Sequence, residues 1–421
     1  MKKILALGCV LVLTLSLLTG CSKKGGSTAQ TGGKTVEFWL FNDWVEGDAG
    51  AEFNAYTREF REQTGITVNL VGKPDSEIKS GLIVGASSGM GPDGFTLALN
   101  TAYSMINSGA VQDITQYWNA ETADYKSQFT PAIMNSMQVD GKVWGLPMTG
   151  WSTVLYRNLD ALQKAGVDTS RGPADWDEWL DQMRRVRAAG SNGMNDFTVD
   201  GWAVYNFLGG VRGIKNTVVN GKSSYTHDQL ATCFDFMNKV AQYGTKIPRD
   251  DAAADDMFIT GQVAFVTHGP WPNTNYAAAA AEGKLRYDVV QIPSQEKGRN
   301  GGLHGGEWLG ISTGKNAENA YKWISFVGDA KQMSRFASKM GRLIFNDRAM
   351  AQANISGNAL LSAQVEALKG GIDDAAYFTP FPSDVKPVSD AANAVVYGRA
   401  TPAQAADTCL ADIAKLIDDN T

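Results

Sequence analysis

Residues 35–71 read TVEFWLFNDWVEGDAGAEFNAYTREFREQTGITVNLV. Thr35 to Leu40 reads as a strand that ends in the polar turn Asn42-Asp43. Phe53, Tyr56 and Phe60 then fall at helical spacing, and Gly65 is placed to stop that helix. Ile66 to Val71 alternates as a second strand. Strand, helix, strand in so short a span is the unit from which parallel sheets are built.

The same logic extends along the chain. Asp175 precedes Trp176, with Glu178 three residues on, which is a capping-box spacing. Trp176, Trp179, Leu180, Met183 and Val186 make one apolar stripe. Ala320, Trp323, Ile324 and Val327 make another, and Thr401-Pro402 opens a last helix with buried face Ala406, Leu410, Ile413 and Ile417. Short strands are expected at Ala264 to Thr267, Tyr287 to Gln291 and Leu309 to Ser312. Alternating strands and helices predict an α/β fold in two lobes.

The chain has 421 residues, 43% of them hydrophobic and 19% charged, a balance that folds rather than stays disordered. At the N-terminus Lys2 and Lys3 precede a 15-residue apolar run, Ile4 to Leu18, shorter than the about 20 residues of a membrane span. Leu18-Thr19-Gly20-Cys21 follows and is similar to the lipobox of bacterial lipoproteins, in which the cysteine takes the lipid. Residues 1–20 are therefore expected to be a lipoprotein signal peptide, Cys21 the lipidation site and residues 21–34 a flexible tether. Net charge is −6; without Lys2 and Lys3 it is 36 basic against 44 acidic residues, or −8, which disfavours nucleic acid. Cys233 and Cys409 remain, as either a disulfide or two free core thiols.

Catalytic motifs are weak. Gly85-Ala86-Ser87-Ser88-Gly89 matches G-x-S-x-G, but an extended segment, Phe95 to Leu99, follows it where a nucleophile elbow needs a helix. It reads as a loop. Gly89 to Gly94 matches G-x-G-x-x-G without opening a helix. The three histidines, His227, His268 and His304, show no metal-ligand spacing, so neither a metal nor a cofactor is expected.

The order of further motifs resembles the extracellular solute-binding proteins of bacterial sugar ABC importers, the group containing maltose-binding protein. Thr64-Gly65-Ile66-Thr67-Val68 is similar to the family's TGIxV strand, Gly91-Pro92-Asp93 to its GPD turn, and Asp140 to Pro147 to its DGKxYGxP crossing. Asp175 to Glu178, Gly261 to Ala264 and His268-Gly269-Pro270-Trp271 continue the series, whereas Arg157 interrupts the family's Tyr-Asn. The resemblance implies a type II periplasmic-binding fold, with hinge-linked lobes around a ligand cleft. The N-lobe would take 35–150 and 293–338, and the C-lobe 151–290 and 342–418. It implies a monomeric binder, not an enzyme, that captures a carbohydrate outside the membrane, passes it to an ABC permease and touches the membrane only through its lipid.

A sugar has directional hydroxyls and apolar C–H faces, so its site needs carboxylates and amides beside flat aromatics. Trp44, Trp118, Trp144, Trp151, Trp202, Trp271 and Trp308 lie near expected turns and are the stacking candidates. On the family pattern Asp43, Trp44 and Asn100 stand at sugar-contact positions. Trp151 replaces a carboxylate at the crossing, and Trp271 matches a stacking Trp. Glu307 and Trp308 are expected in a loop after Gly305 and Gly306, with Glu307 as the main carboxylate. His304 and Arg342 complete the set. Two alternatives remain: a polar anion such as glycerol phosphate on the same fold, and a serine hydrolase using Ser87 and His304.

Overall fold

The computed structural model describes residues 35–129, 134, 137–194, 202–214, 218–219, 222–245, 251–314, 316–368, 370–373 and 385–419. The expected signal peptide, Cys21 and tether lie outside the described residues, as does the side chain of Trp202. No described helix is long and apolar enough to cross a membrane.

The chain opens as its first stretch predicts. In β1 (Thr35–Phe41) Val36, Phe38 and Leu40 are buried while Glu37, Trp39 and Phe41 stay half-buried. In α1 (Gly47–Thr64) Phe53, Tyr56 and Phe60 are buried, and Gly65 ends the helix at φ 71°, its N–H returning to the Arg61 carbonyl. β2 (Thr67–Lys73) pairs in parallel with β1 along its length. Then come α2 (Asp75–Ser88) and β3 (Gly94–Ala98), which joins the other side of β1, again in parallel.

In β4 (Gly145–Ser152) and β5 (Val154–Asn158), separated by Thr153 alone, every residue is buried. Next along the chain are α3 (Trp176–Ala188), α4 (His227–Ala241), α5 (Asp251–Ile259), β6 (Phe265–His268), α6 (Asn273–Ala281) and β7 (Tyr287–Val290). After them follow β8 (Leu303–Ile311), α7 (Ala317–Gly328), α8 (Ala330–Met340), β9 (Leu343–Ile344), β10 (Ile372–Asp373) and α9 (Pro402–Asp418). At α3 the cap forms without the reciprocal half of the box: the Asp175 side chain accepts from the Glu178 N–H, while the Glu178 carboxylate accepts from the Ala174 N–H and from Arg171. At α9, Thr401 and Gln404 form a full capping box.

Two sheets result. The large one runs β9-β4-β8-β3-β1-β2, with β10 beside β8, and the small one β6-β5-β7. β8 is antiparallel to both β3 and β4. The chain passes from the large sheet to the small one through Thr153. Its N–H donates to the Leu303 carbonyl at 2.8 Å, so β4 and β8 leave the sheet edge together.

The first apolar core gathers residues 36–148 and 308–361, including Phe53, Trp308, Trp323 and Phe336. The second gathers 151–303 and 388–417 around Trp179, Phe207 and Phe234, and a small third surrounds Tyr156, Phe258 and Tyr276. The first core runs past the expected boundary at 338. It takes Leu343, Ile344 and Ala349, because β9 pairs with β4 on the large sheet. Leu303, expected with the N-lobe, packs into the second core. Cys233 and Cys409 are both buried and form no disulfide with each other, the second of the two readings.

Candidate functional site

A cavity of about 940 Å³ opens between the cores. Phe41 ends β1 and Asn42 to Trp44 follow it, Lys73 ends β2 and Pro74 and Asp75 follow it, and Ala98 ends β3 with Asn100 just beyond, so all three parallel strands deliver their C-terminal ends to it. Ligand sites in such sheets form at that edge, where the strand-to-helix turns collect. The crossing strands add Trp151, Leu303 and Glu307, with Arg342 just before β9. The opposite wall is Asp255 of α5, Trp271 and Pro272 after β6, and Asn275 of α6. Cavities of about 440 Å³ beside α1 and α7 and about 400 Å³ beside α3 are less than half that size.

The floor is a charged triad. Arg342 donates from Nη1 to Glu307 Oε1 at 3.3 Å and from Nη2 to Asp43 Oδ2 at 3.0 Å. The Thr149 hydroxyl donates to the other Glu307 oxygen. The guanidinium lies 5.1 Å from the centre of the Trp44 ring. Glu307 and Arg342 are each 5% exposed. Burial pushes the Glu307 carboxyl up to about 7, and Asp43 adds to the rise; Arg342, Thr149 and Trp151 pull against it.

That rise has a sign. The folded state holds the Glu307 proton between its usual value near 4.5 and about 7, while the unfolded chain has released it. Stability therefore falls as pH rises through this window, by roughly 3 kcal/mol for an isolated group. Glu307→Gln should flatten the slope. Urea unfolding of both proteins from pH 4.5 to 8 measures it, and parallel curves would remove the carboxyl as the cause.

The walls carry an aromatic corner. Trp151 and Trp271 stand edge to face, ring centres 5.5 Å apart at 86°. Each ring lies over a glycine. A Cβ on Gly305 would sit 2.2 Å from the Trp151 ring, and one on Gly269 would sit 1.9 Å from the Trp271 ring. No other residue lets the rings lie down at these two places. His268 is buried behind Trp271, with ring centres 5.0 Å apart.

Of the expected site residues, Asp43, Trp44, Asn100, Trp151, Trp271, Glu307 and Arg342 line the cavity. Trp44 does so only marginally: it is 1% exposed and stacks on Phe53 at 5.8 Å, as core rather than as a platform for a ligand. Trp308 is corrected. The segment is strand β8, not a loop, so adjacent side chains take opposite faces; Glu307 enters the cavity and Trp308 enters the first core, edge-on to Phe95. His304 is also corrected. It is buried at the crossing against the Ser152 hydroxyl and the Gly370 carbonyl and does not line the cavity. Trp118 and Trp144 pack against the first core.

Ser87 lies in the last turn of α2, which ends at Gly89 with φ 70°; its exposed hydroxyl donates to the Val84 carbonyl. The segment is helical, neither the expected loop nor a strand–turn–helix elbow. Lys73, Asp75, Asp255 and Asn275 were not anticipated. Lys73-Pro74-Asp75 carried a signal, because it closes β2 as Asn42-Asp43 closes β1.

Residues 55–363 match the family described as bacterial extracellular solute-binding protein. The chain belongs to that family. It is 24% identical to the maltodextrin-binding protein MdxE of Bacillus subtilis over 96% of this chain and 94% of that one. It is 22% identical to the sn-glycerol-3-phosphate-binding periplasmic protein UgpB of Shigella flexneri over 78% and 77%. Among solved structures, the GacH receptor of Streptomyces glaucescens superposes with a TM-score of 0.77 at 18% identity, covering 92% of this chain and 99% of that one. This solute-binding protein thus has the type II periplasmic-binding fold, with two hinge-linked lobes.

Proposed function

We propose that this solute-binding protein captures a neutral carbohydrate in the cavity between its lobes and delivers it to an ABC permease. The arrangement that supports this most is the Trp151–Trp271 corner above the Asp43–Arg342–Glu307 triad. The rings offer flat apolar faces to sugar C–H groups. The carboxylates offer acceptors to hydroxyls, and charge-assisted bonds are roughly twice as strong as neutral ones. MdxE is named for maltodextrin, and the GacH receptor was solved with acarbose.

UgpB is named for a phosphate ester, so an anionic ligand is the second reading. Charge argues against it. Both cations at the cavity are engaged: Arg342 bridges two carboxylates, and Lys73 sits 4.6 Å over the Trp39 ring and 3.8 Å from Glu77. Four carboxylates line the same space, those of Asp43, Asp75, Asp255 and Glu307. A thermal-shift screen of mono- and oligosaccharides with glycerol 3-phosphate separates the readings. A ligand at 100 times its Kd adds about 2.7 kcal/mol. Stabilisation by glycerol 3-phosphate and by no sugar would sink the carbohydrate reading.

The lobes follow the two large cores, residues 36–148 and 308–361 in one and 151–303 and 388–417 in the other, with closure by bending at the crossing strands. The protein acts as a monomer without cofactor or metal, held to the membrane by lipid on Cys21 after loss of residues 1–20. Cys21→Ala should abolish incorporation of labelled palmitate and leave the affinity of the soluble domain unchanged. A variant that still takes up the label has its anchor elsewhere.

A further inference from the structure

We propose that Asn206 is a positioning residue that sets Trp271 against Trp151, through a buried hydrogen-bond chain from the crossing strands to the strand that leads to Trp271. The chain has four members. The Leu303 N–H donates to Thr153 Oγ1 at 2.7 Å, and the Thr153 hydroxyl donates to Asn206 Oδ1 at 2.6 Å. Asn206 Nδ2 then donates to Thr267 Oγ1 at 3.1 Å. Thr153, Asn206 and Thr267 are each 0% exposed, and Leu303 is 1% exposed.

The polarity of the chain follows from one end. A backbone N–H can only donate, so the Thr153 oxygen accepts from Leu303 and its single proton has two acceptors, Asn206 Oδ1 at 2.6 Å and the Leu303 carbonyl at 3.3 Å. The shorter contact assigns the proton to the amide oxygen of Asn206, which turns the NH₂ toward Thr267. An aspartate could not donate there, and an apolar side chain would leave both threonines short of a buried partner.

The ends of the chain are the walls of the cavity. Trp151 stands two residues before Thr153, Leu303 itself lines the cavity, and Trp271 stands four residues after Thr267. Asn206 sits in a short helix, Tyr205–Leu208, directly against the crossing: a Cβ on the next residue but two, Gly209, would lie 2.3 Å from the Gly301 carbonyl oxygen. A second tie fixes the turn itself, because the Tyr156 hydroxyl donates to the Gly269 carbonyl at 3.0 Å. The wall that carries Trp271 is thus referenced to the crossing strands by side-chain bonds as well as by the β5–β6 ladder.

The inference rests on the cleft reading for its consequence in binding, and its first test is independent of any ligand. Full-length protein labelled with 5-fluorotryptophan gives fluorine resonances assignable by Trp→Phe variants at 151, 271 and 323. Asn206→Leu is expected to shift or broaden the Trp151 and Trp271 signals and leave that of Trp323, in the first core, in place. Thr267→Val removes the last acceptor at nearly constant shape and is expected to move Trp271 alone, which keeps the test readable if Asn206→Leu fails to fold. For the best sugar in the screen, Asn206→Leu should weaken binding about threefold or more in the wild type and much less in Trp271→Ala, since coupled residues are not additive. A lower unfolding midpoint with both cleft resonances unmoved would make Asn206 a structural residue only and overturn the proposal. Moved resonances with no sugar bound would uphold it while removing the carbohydrate reading.

Discussion

Arg342→Leu is expected to destabilise the protein by about 3 kcal/mol at pH 8 and by clearly less at pH 6. Removing one member of a buried ion pair typically costs about 3–5 kcal/mol, because the remaining charge stays in a low-dielectric site without its partner. Here two carboxylates are left behind, and Glu307 is the buried one. Its carboxyl already sits up at about 7 with Arg342 present, so loss of the guanidinium can only push it higher. At pH 6 Glu307 is protonated with or without Arg342, and the variant forfeits mainly the Asp43 pair, which is half-exposed and worth little. At pH 8 the wild type carries the charged pair and the variant must protonate Glu307 against the solvent pH. Urea unfolding at the two pH values reads the difference. An equal loss at both would mean that Arg342 acts through packing on Trp44 and not through Glu307.

Trp271→Ala is expected to lower sugar affinity tenfold or more with little change in unfolding midpoint. A pyranose ring stacked on the indole loses contact area that alanine cannot replace, about 1–3 kcal/mol. Trp271 is only half-buried and its ring rests on Gly269, so removing it opens the cavity rather than a void in the core. Trp151, 8% exposed and within the second core, should cost stability as well as affinity when replaced. Calorimetry with the best sugar in the screen measures the first effect. Unchanged affinity with a much lower midpoint would make Trp271 a packing residue.

The sequence carried the parallel-sheet opening because strand alternation, helical spacing and a stop glycine agree within residues 35–71. It carried Asp43 for the same reason, as the first polar residues past a strand fall at the ligand edge. It misplaced Trp308 because the two glycines at 305 and 306 looked like a loop. In fact they are sheet positions kept bare so that Trp151 and Phe345 can lie across them. Had that segment been taken as a strand, alternation alone would have sent Trp308 to the core once Glu307 faced the cavity. Trp44 could not be placed from its neighbours. Phe336, one of the rings it packs against, lies almost three hundred residues away. Arg342 was marked by its place alone; its importance depends on Asp43 and Glu307 converging from two distant strands.

The position of β8 bears on how the chain is made. It lies in the interior of the large sheet, between β3 and β4, yet it begins only at Leu303. Until that residue has been synthesised, β3 and β4 each present an unpaired edge, and Trp308, which the first core closes around, does not yet exist. Pairings of such sequence separation are slow, because loop closure must precede any gain in contacts. The nascent polypeptide therefore cannot complete its large sheet until most of its length has been made. The same delay makes every fragment that stops short of Ile311 a sticky one, with open strand edges that invite pairing to other copies.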